Sequence, residues 1–162
     1  MSKLSLLSPY PLSQQNDGTY QFITRDGSLY TIYLTDGSAY VPDVAFSHQI
    51  AMVGFYRDYT PLVRLDERVG ITIVHAIRLF FDANPNQIIV YVCDSSDNRQ
   101  RGRMRLFSAW FERTDTEFVH LKHEHIGTEY DHFAGLLMRA DNPWRETVTR
   151  RASQFIADKL GD

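Results

Sequence analysis

The chain has 162 residues, a formal charge of −3, 43% hydrophobic and 13% aromatic content, which is enough apolar matter to bury a core and excludes a disordered or low-complexity protein. The near-neutral balance excludes a general electrostatic match to nucleic acid, and the one cysteine, Cys93, excludes an intrachain disulfide and fits a reducing cytoplasm. No apolar run approaches bilayer-spanning length, and Met1 to Ser13 holds no continuous signal-type stretch, so one cytoplasmic domain over 1–162 without membrane contact is expected.

Asp17-Gly18, Asp26-Gly27 and Asp36-Gly37 punctuate the start of the chain at hairpin spacing. Asp-Gly supplies the positive φ angles of tight hairpin turns, and Thr19 to Arg25 and Leu29 to Thr35 between them are rich in Tyr, Phe, Ile and Thr. An antiparallel meander follows from this, with a further strand near Ile50 to Arg57.

Asp66 fits the N-cap of a helix reaching about Ala83, where Asn84-Pro85 stops it. Val69, Ile73, Val74, Ile77, Phe80 and Phe81 make its apolar face, with His75 and Arg78 pointing away; the β-branched run Ile71 to Val74 leaves a strand as the alternative for its first half. Gln87 to Cys93 reads as a fully buried strand, and Asp97 to Arg113 as a helix capped by Ser96 or Asp97. Phe118 to Ile126 and His132 to Arg139 form a second hairpin around Gly127-Thr128. Asn142-Pro143 then opens a last helix in cap-and-proline fashion. The fold class is α+β: an N-terminal antiparallel meander with a mixed sheet and about three helices packed on it, in the order β-β-β-β-α-β-α-β-β-α.

The chemically richest stretch is the strand-to-helix junction from Gln87 to Phe111. Helical phase puts Arg99 and Arg103 on the side of Phe107 and Trp110, and Arg101 and Arg105 opposite, so the first pair is expected to be the less exposed. A guanidinium on a packing face needs partners, and Asp94 and Asp97 are the nearest acids. Three readings stay open: an internal Arg-Asp network, an anion site formed by Arg99 and Arg103 with helix N-terminal amides, and a Mg²⁺ site using Asp94 and Asp97. Arg99 to Met104 is similar in part to the coenzyme A pyrophosphate loop of GNAT-type acetyltransferases, but Met104 stands where that motif needs Gly or Ala, and the element order differs.

Four of the six histidines fall in His120 to His132. His123 and His125 share one strand face in the manner of a metal pair, yet exposed histidines at a hairpin end explain the pattern without one, and neither a metal nor a cofactor is expected. No nucleophile elbow, Walker loop or dinucleotide fingerprint occurs. The aromatic meander has more large apolar side chains than one sheet face hides, which makes Tyr30 and Tyr33 candidate interface residues for a protein partner or self-association.

The Tyr-x-Phe-x-Thr-x-x-Gly start (Tyr20 to Gly27), Asp66-Glu67-Arg68, Cys93-Asp94 with Asp97-x-Arg99-Gln100, Arg103-x-Arg105-Leu106-Phe107 and Asn142-Pro143 together resemble a family of short bacterial proteins catalogued as a domain of unknown function. The resemblance implies a bacterial cytoplasmic protein and transfers no catalytic role to any residue. The expected function is a small interaction or regulatory protein, such as an immunity-type or antitoxin-type accessory in bacterial conflict. The alternative is a small enzyme or binding protein for a phosphate-bearing ligand at residues 94 to 103.

Overall fold

The computed structural model describes residues 7–58, 66–93, 108, 109, 111, 117–126 and 131–160, and for 93, 123–126, 131–133 and 153–160 the backbone path alone. Seven strands form one sheet: β1 (Ser13–Gln14), β2 (Tyr20–Ile23), β3 (Leu29–Asp36), β4 (Ile50–Arg57), β5 (Ile88–Cys93), β6 (Phe118–Ile126) and β7 (Asp131–Arg139). Helix α1 (Glu67–Ala83) lies between β4 and β5 in the chain, and α2 (Arg145–Leu160) follows β7. The spatial order is β1-β2-β3-β4-β5-β7-β6, antiparallel throughout except where β4 meets β5.

The α+β class and the strand order along the chain agree with the sequence. The helix count is corrected: two helices are described where about three were expected. The third was assigned to Asp97 to Arg113, most of which lies outside the described residues; Ser108, Ala109 and Phe111 within it are helical. The turn at Gly127-Thr128 lies outside them too.

Asp66 caps α1 as its sequence position demands, its carboxylate accepting from the Arg68 amide at 2.9 Å, and Asn84 ends the helix. One face of α1, with Ile73, Val74, Ala76, Ile77 and Phe81, packs on Tyr20, Phe22, Ile32, Ile89, Tyr91 and Leu137. The opposite sheet face carries a second core of Ile50, Ile88, Val90, Leu136 and Met138 with Val148 and Trp144. The two helices therefore cover opposite faces of the sheet. Arg78 does not point away from the packing: its guanidinium lies 5.6 Å from the centre of the Phe118 ring. Helical phase alone could not show this, because β6 extends the sheet past the apolar face of α1.

Two of the three Asp-Gly pairs make the expected tight turns, with Gly18 at φ 86° and Gly27 at φ 85°. The third does not. Gly37 has φ −104°, Asp36 accepts from the Ser38 amide and hydroxyl at 2.8 and 2.9 Å, and a 3₁₀ turn (Ser38–Tyr40) begins there. The segment from Ser38 to Gln49 makes the return to β4 longer because Val41 and Phe46 are buried in the second core, filling the sheet face that α2 does not reach.

The three turn aspartates share a physical state. Asp17 accepts from the Thr19 amide and hydroxyl, Asp26 from Thr24 and Ser28, and Asp36 from Ser38; these hydrogen bonds hold all three carboxyls below the ordinary aspartate value of 3.8. The unfolded chain thus takes up protons before the folded one as pH falls. Their contribution to stability is complete above about pH 4 and is lost as pH falls through the depressed folded values. Urea midpoints measured from neutrality downward should fall in that acid window, and Asp17→Asn, Asp26→Asn and Asp36→Asn combined should make the fall shallower.

Candidate functional site

Asp94, Asp97, Arg99 and Arg103, together with Arg101 and Arg105, lie outside the described residues, so the three readings of the junction carry forward as they stand. The strand that leads into it is described. On the α1 side of β5, Tyr91 is buried and its hydroxyl lies 2.5 Å from His120 Nε2 on β6. The His120 ring stands 6.0 Å from the Phe111 ring, which in turn meets Phe118 edge-on at 6.4 Å. A tyrosine, an imidazole and two phenyl rings therefore stand together beside the strand end. Sequence reading missed the Tyr91–His120 contact. The available signal was strand alternation, since His120 is out of phase with Val119 and Leu121, which belong to the second core.

Tyr30 and Tyr33 fall on opposite faces, as their spacing on β3 requires. Tyr30 is half-buried and stacks on Phe22 with ring centres 5.0 Å apart and planes 7° from parallel. Tyr33 is 38% exposed on the other face. It has company there: the registers put Ile23 on β2, Tyr56 on β4 and Val92 on β5 on that same face, and these are 62%, 54% and 42% exposed. The Tyr33 and Tyr56 rings are 6.2 Å apart. Thr31, the cross-strand partner of Tyr56, is buried and accepts from Gln21. The result is a set of exposed aromatic and aliphatic side chains on one face of four strands, with the Tyr33 and Tyr56 rings in contact.

Both notable tyrosines sit on glycines. Tyr33 pairs across strands with Gly54 and Tyr91 with Gly135, and a Cβ at either glycine would overlap the tyrosine ring. An aromatic ring lying over a cross-strand glycine covers backbone that glycine leaves bare.

A third polar group is structural in character. The Tyr10 hydroxyl donates to Asp66 at 2.6 Å, the Tyr10 amide donates to Thr72, and the Arg68 guanidinium lies 3.8 Å from the Tyr10 ring centre while donating to the Ser8 and Pro9 carbonyls. Burial first, then the bond to Asp66, raises the Tyr10 pKa. These contacts tie the N-terminal segment to α1, and the Arg25 amide just past β2 donates to the Tyr10 hydroxyl at 3.2 Å. Among the described residues, no three His, Cys, Asp or Glu side chains converge to hold a metal ion, and no helix is long and apolar enough to cross a membrane.

The molecule is thus an α+β protein on a seven-stranded mixed sheet, with one open aromatic face and a tyrosine–histidine pair beside a charged junction. The chain belongs to a family of unknown function (DUF6169), whose model matches residues 65–151. That span holds α1, β5, β6, β7 and the start of α2, and includes Tyr91, His120 and the junction. No curated protein and no solved structure matches the chain.

The two tyrosine–glycine pairs differ in how far the ring can yield. Tyr91 is buried and hydrogen-bonded, so Gly135→Ala should cost about 1–3 kcal/mol. Tyr33 can swing into solvent, so Gly54→Ala should cost under about 1 kcal/mol. Urea unfolding of the two variants measures both; equal costs would mean that the Tyr91 ring is no better fixed than the Tyr33 ring.

Proposed function

We propose that this is a small bacterial, cytoplasmic interaction or regulatory protein, of the immunity or antitoxin type that acts by holding a protein partner, and that the partner seats on the open sheet face. The observation that carries the reading is the patch of Ile23, Tyr33, Tyr56 and Val92, four large apolar side chains exposed on one face of neighbouring strands. Exposed apolar groups scattered singly need no explanation, whereas several on one sheet face, two of them (Tyr33 and Tyr56) in ring contact, fit a protein interface. Tyrosine suits such a surface because it offers a large contact area with few rotamers and keeps a hydroxyl for water when unbound.

The second reading, a phosphate-bearing ligand at Asp94, Asp97, Arg99 and Arg103, is supported by the Tyr91–His120 hydrogen bond on the strand that enters the junction. The two readings make separate demands. A photo-crosslinking residue at position 33 should capture a defined partner in extract from cells that carry the gene. Binding of that partner should weaken at least tenfold in Tyr33→Ser with Tyr56→Ser and persist in Arg99→Ala with Arg103→Ala. Tyr30→Ser is the stability control, since loss of its stacking on Phe22 should lower the unfolding midpoint, which Tyr33→Ser should leave nearly unchanged. Loss of binding only in the arginine variant, or thermal stabilisation by phosphate compounds that needs Arg99 and Arg103, would move the function to the junction.

A further inference from the structure

A cleft of about 270 Å³ opens at the C-terminal end of α1, where β3 finishes and β4 begins. Leu34, Ala51 and Phe80 give it an apolar lining, and Asp36, Asn84 and Gln87 a polar rim. Leu34 and Asp36 share the α1 side of β3 with Ile32, and Asp36 stands directly across from Ala51 in the register with β4. With only a methyl group at 51, the carboxylate has open space beside it.

The rim offers hydrogen-bond acceptors, because its amide donors are already used. Asn84 Nδ2 donates to the Phe80 carbonyl at 3.0 Å, and Gln87 Nε2 donates to Gln49 Oε1 at 3.1 Å. Each amide is oriented by that bond, and its oxygen is the group left for a ligand. Asp36 accepts from the Ser38 amide and hydroxyl, one bond to each oxygen, which leaves each oxygen a further lone pair. Those bonds hold the carboxyl below its ordinary value, so it is charged at neutrality.

The helix contributes the same sign of charge. The last turn of α1 has no basic residue, and no Lys or Arg among the described residues lines the cleft. The partial negative charge at the helix C-terminus is therefore left to a ligand or to water. His48, on the 3₁₀ turn Ser47–Gln49, is the one described lining group that can carry positive charge.

Size and chemistry together select the ligand. The space falls below the usual range for drug-sized compounds, so it suits a group of a few heavy atoms. An ammonium has donors and no acceptor, which matches a rim of one carboxylate and two amide oxygens, and a short aliphatic stem suits the lining. An anion would meet like charge from both Asp36 and the helix end.

We propose that this cleft binds a small primary ammonium compound, its cationic head on Asp36, Asn84 Oδ1 and Gln87 Oε1 and its aliphatic stem on Leu34, Ala51 and Phe80. The cleft lies on the α1 side of the sheet, whereas Tyr33 and Tyr56 lie on the other, and none of its residues belongs to the 94–103 junction. It is independent of both readings of the function.

Amide NMR titration of the full chain at pH 7.5, where imidazole is largely neutral, tests the proposal. Butylammonium should give saturable shifts confined to residues 34–37, 48–51 and 80–87, with a dissociation constant on the order of a millimolar. Butan-1-ol and butanoate keep the stem and change the head, and neither should saturate. Asp36→Asn keeps an oxygen for the Ser38 amide and should weaken binding about tenfold or more. Gln87→Glu adds a second carboxylate and should tighten binding about threefold, a gain that misfolding does not produce. Tyr33→Ser with Tyr56→Ser should leave the affinity unchanged. Lysine capped at both termini represents a partner's side chain: weaker binding than butylammonium supports a free amine, and tighter binding overturns the free-amine assignment. Absence of saturable shifts, an equal response to all three head groups, or an affinity that Asp36→Asn and Gln87→Glu leave unchanged overturns the proposal.

Discussion

The whole molecule depends on β5 being apolar in both directions. It is the strand that joins two antiparallel blocks, β1 to β4 on one side and β7 with β6 on the other, and the parallel contact with β4 is made through it. Ile89 and Tyr91 face α1 while Ile88 and Val90 face the second core, and all four are buried. A strand covered on both faces cannot alternate with polar residues, and Ile88 to Tyr91 does not; Val92, 42% exposed, departs from the fully buried strand expected over Gln87 to Cys93. A charged residue at any of these four positions would leave an unpaired charge in one core or the other, and would separate the meander from the C-terminal hairpin.

From that arrangement comes the unequal covering of the sheet. Each helix has room for only part of one face: α1 spans the α1-side residues from β2 to β7, and α2 lies over β6 and β7 on the reverse. The 38–49 segment extends the reverse covering to Ile50 by burying Val41 and Phe46. Beyond it, Ile23, Tyr33 and Tyr56 on the reverse of β2, β3 and β4 are exposed. The glycine beneath each tyrosine then makes sense physically. Gly135 lets Tyr91 lie flat under α1 and reach His120, while Gly54 lets Tyr33 lie over the backbone of the neighbouring strand.

Local chemistry was the legible part of the sequence. Asp17-Gly18, Asp26-Gly27, Asp66 and Asn142-Pro143 each mark a boundary because each satisfies a backbone need within a few residues of itself: a positive φ or an orphan helix amide. Asn142 does more, since its carbonyl oxygen accepts from Trp144 at 2.8 Å while its amide donates to the Asn86 and Gln87 carbonyls, tying α2 to the start of β5. Asp36-Gly37 misled because a long-range demand, the burial of Val41 and Phe46, outweighed the local preference for a tight turn. Arg78 and His120 were misjudged or missed for a related reason. Their roles depend on which strand ends up beside which, and neither period nor spacing carries that information. The charged junction was legible as a concentration of residue types, and Tyr33 as a surplus aromatic, but Tyr56, Ile23 and Val92 join it only once register is known.

The positions of the two surfaces relative to the family match bear on what each can mean. The family model spans 65–151, which takes in Tyr91, His120 and the junction. Tyr33, Tyr56 and Ile23 lie in the meander ahead of that span, and Val92 alone joins the patch from within it. A surface made by two parts of the chain across the β4–β5 contact can change its recognition residues on three strands without touching the hydrogen bonds that hold β5 in place, because those residues are exposed and β5 is secured from its other face by α1.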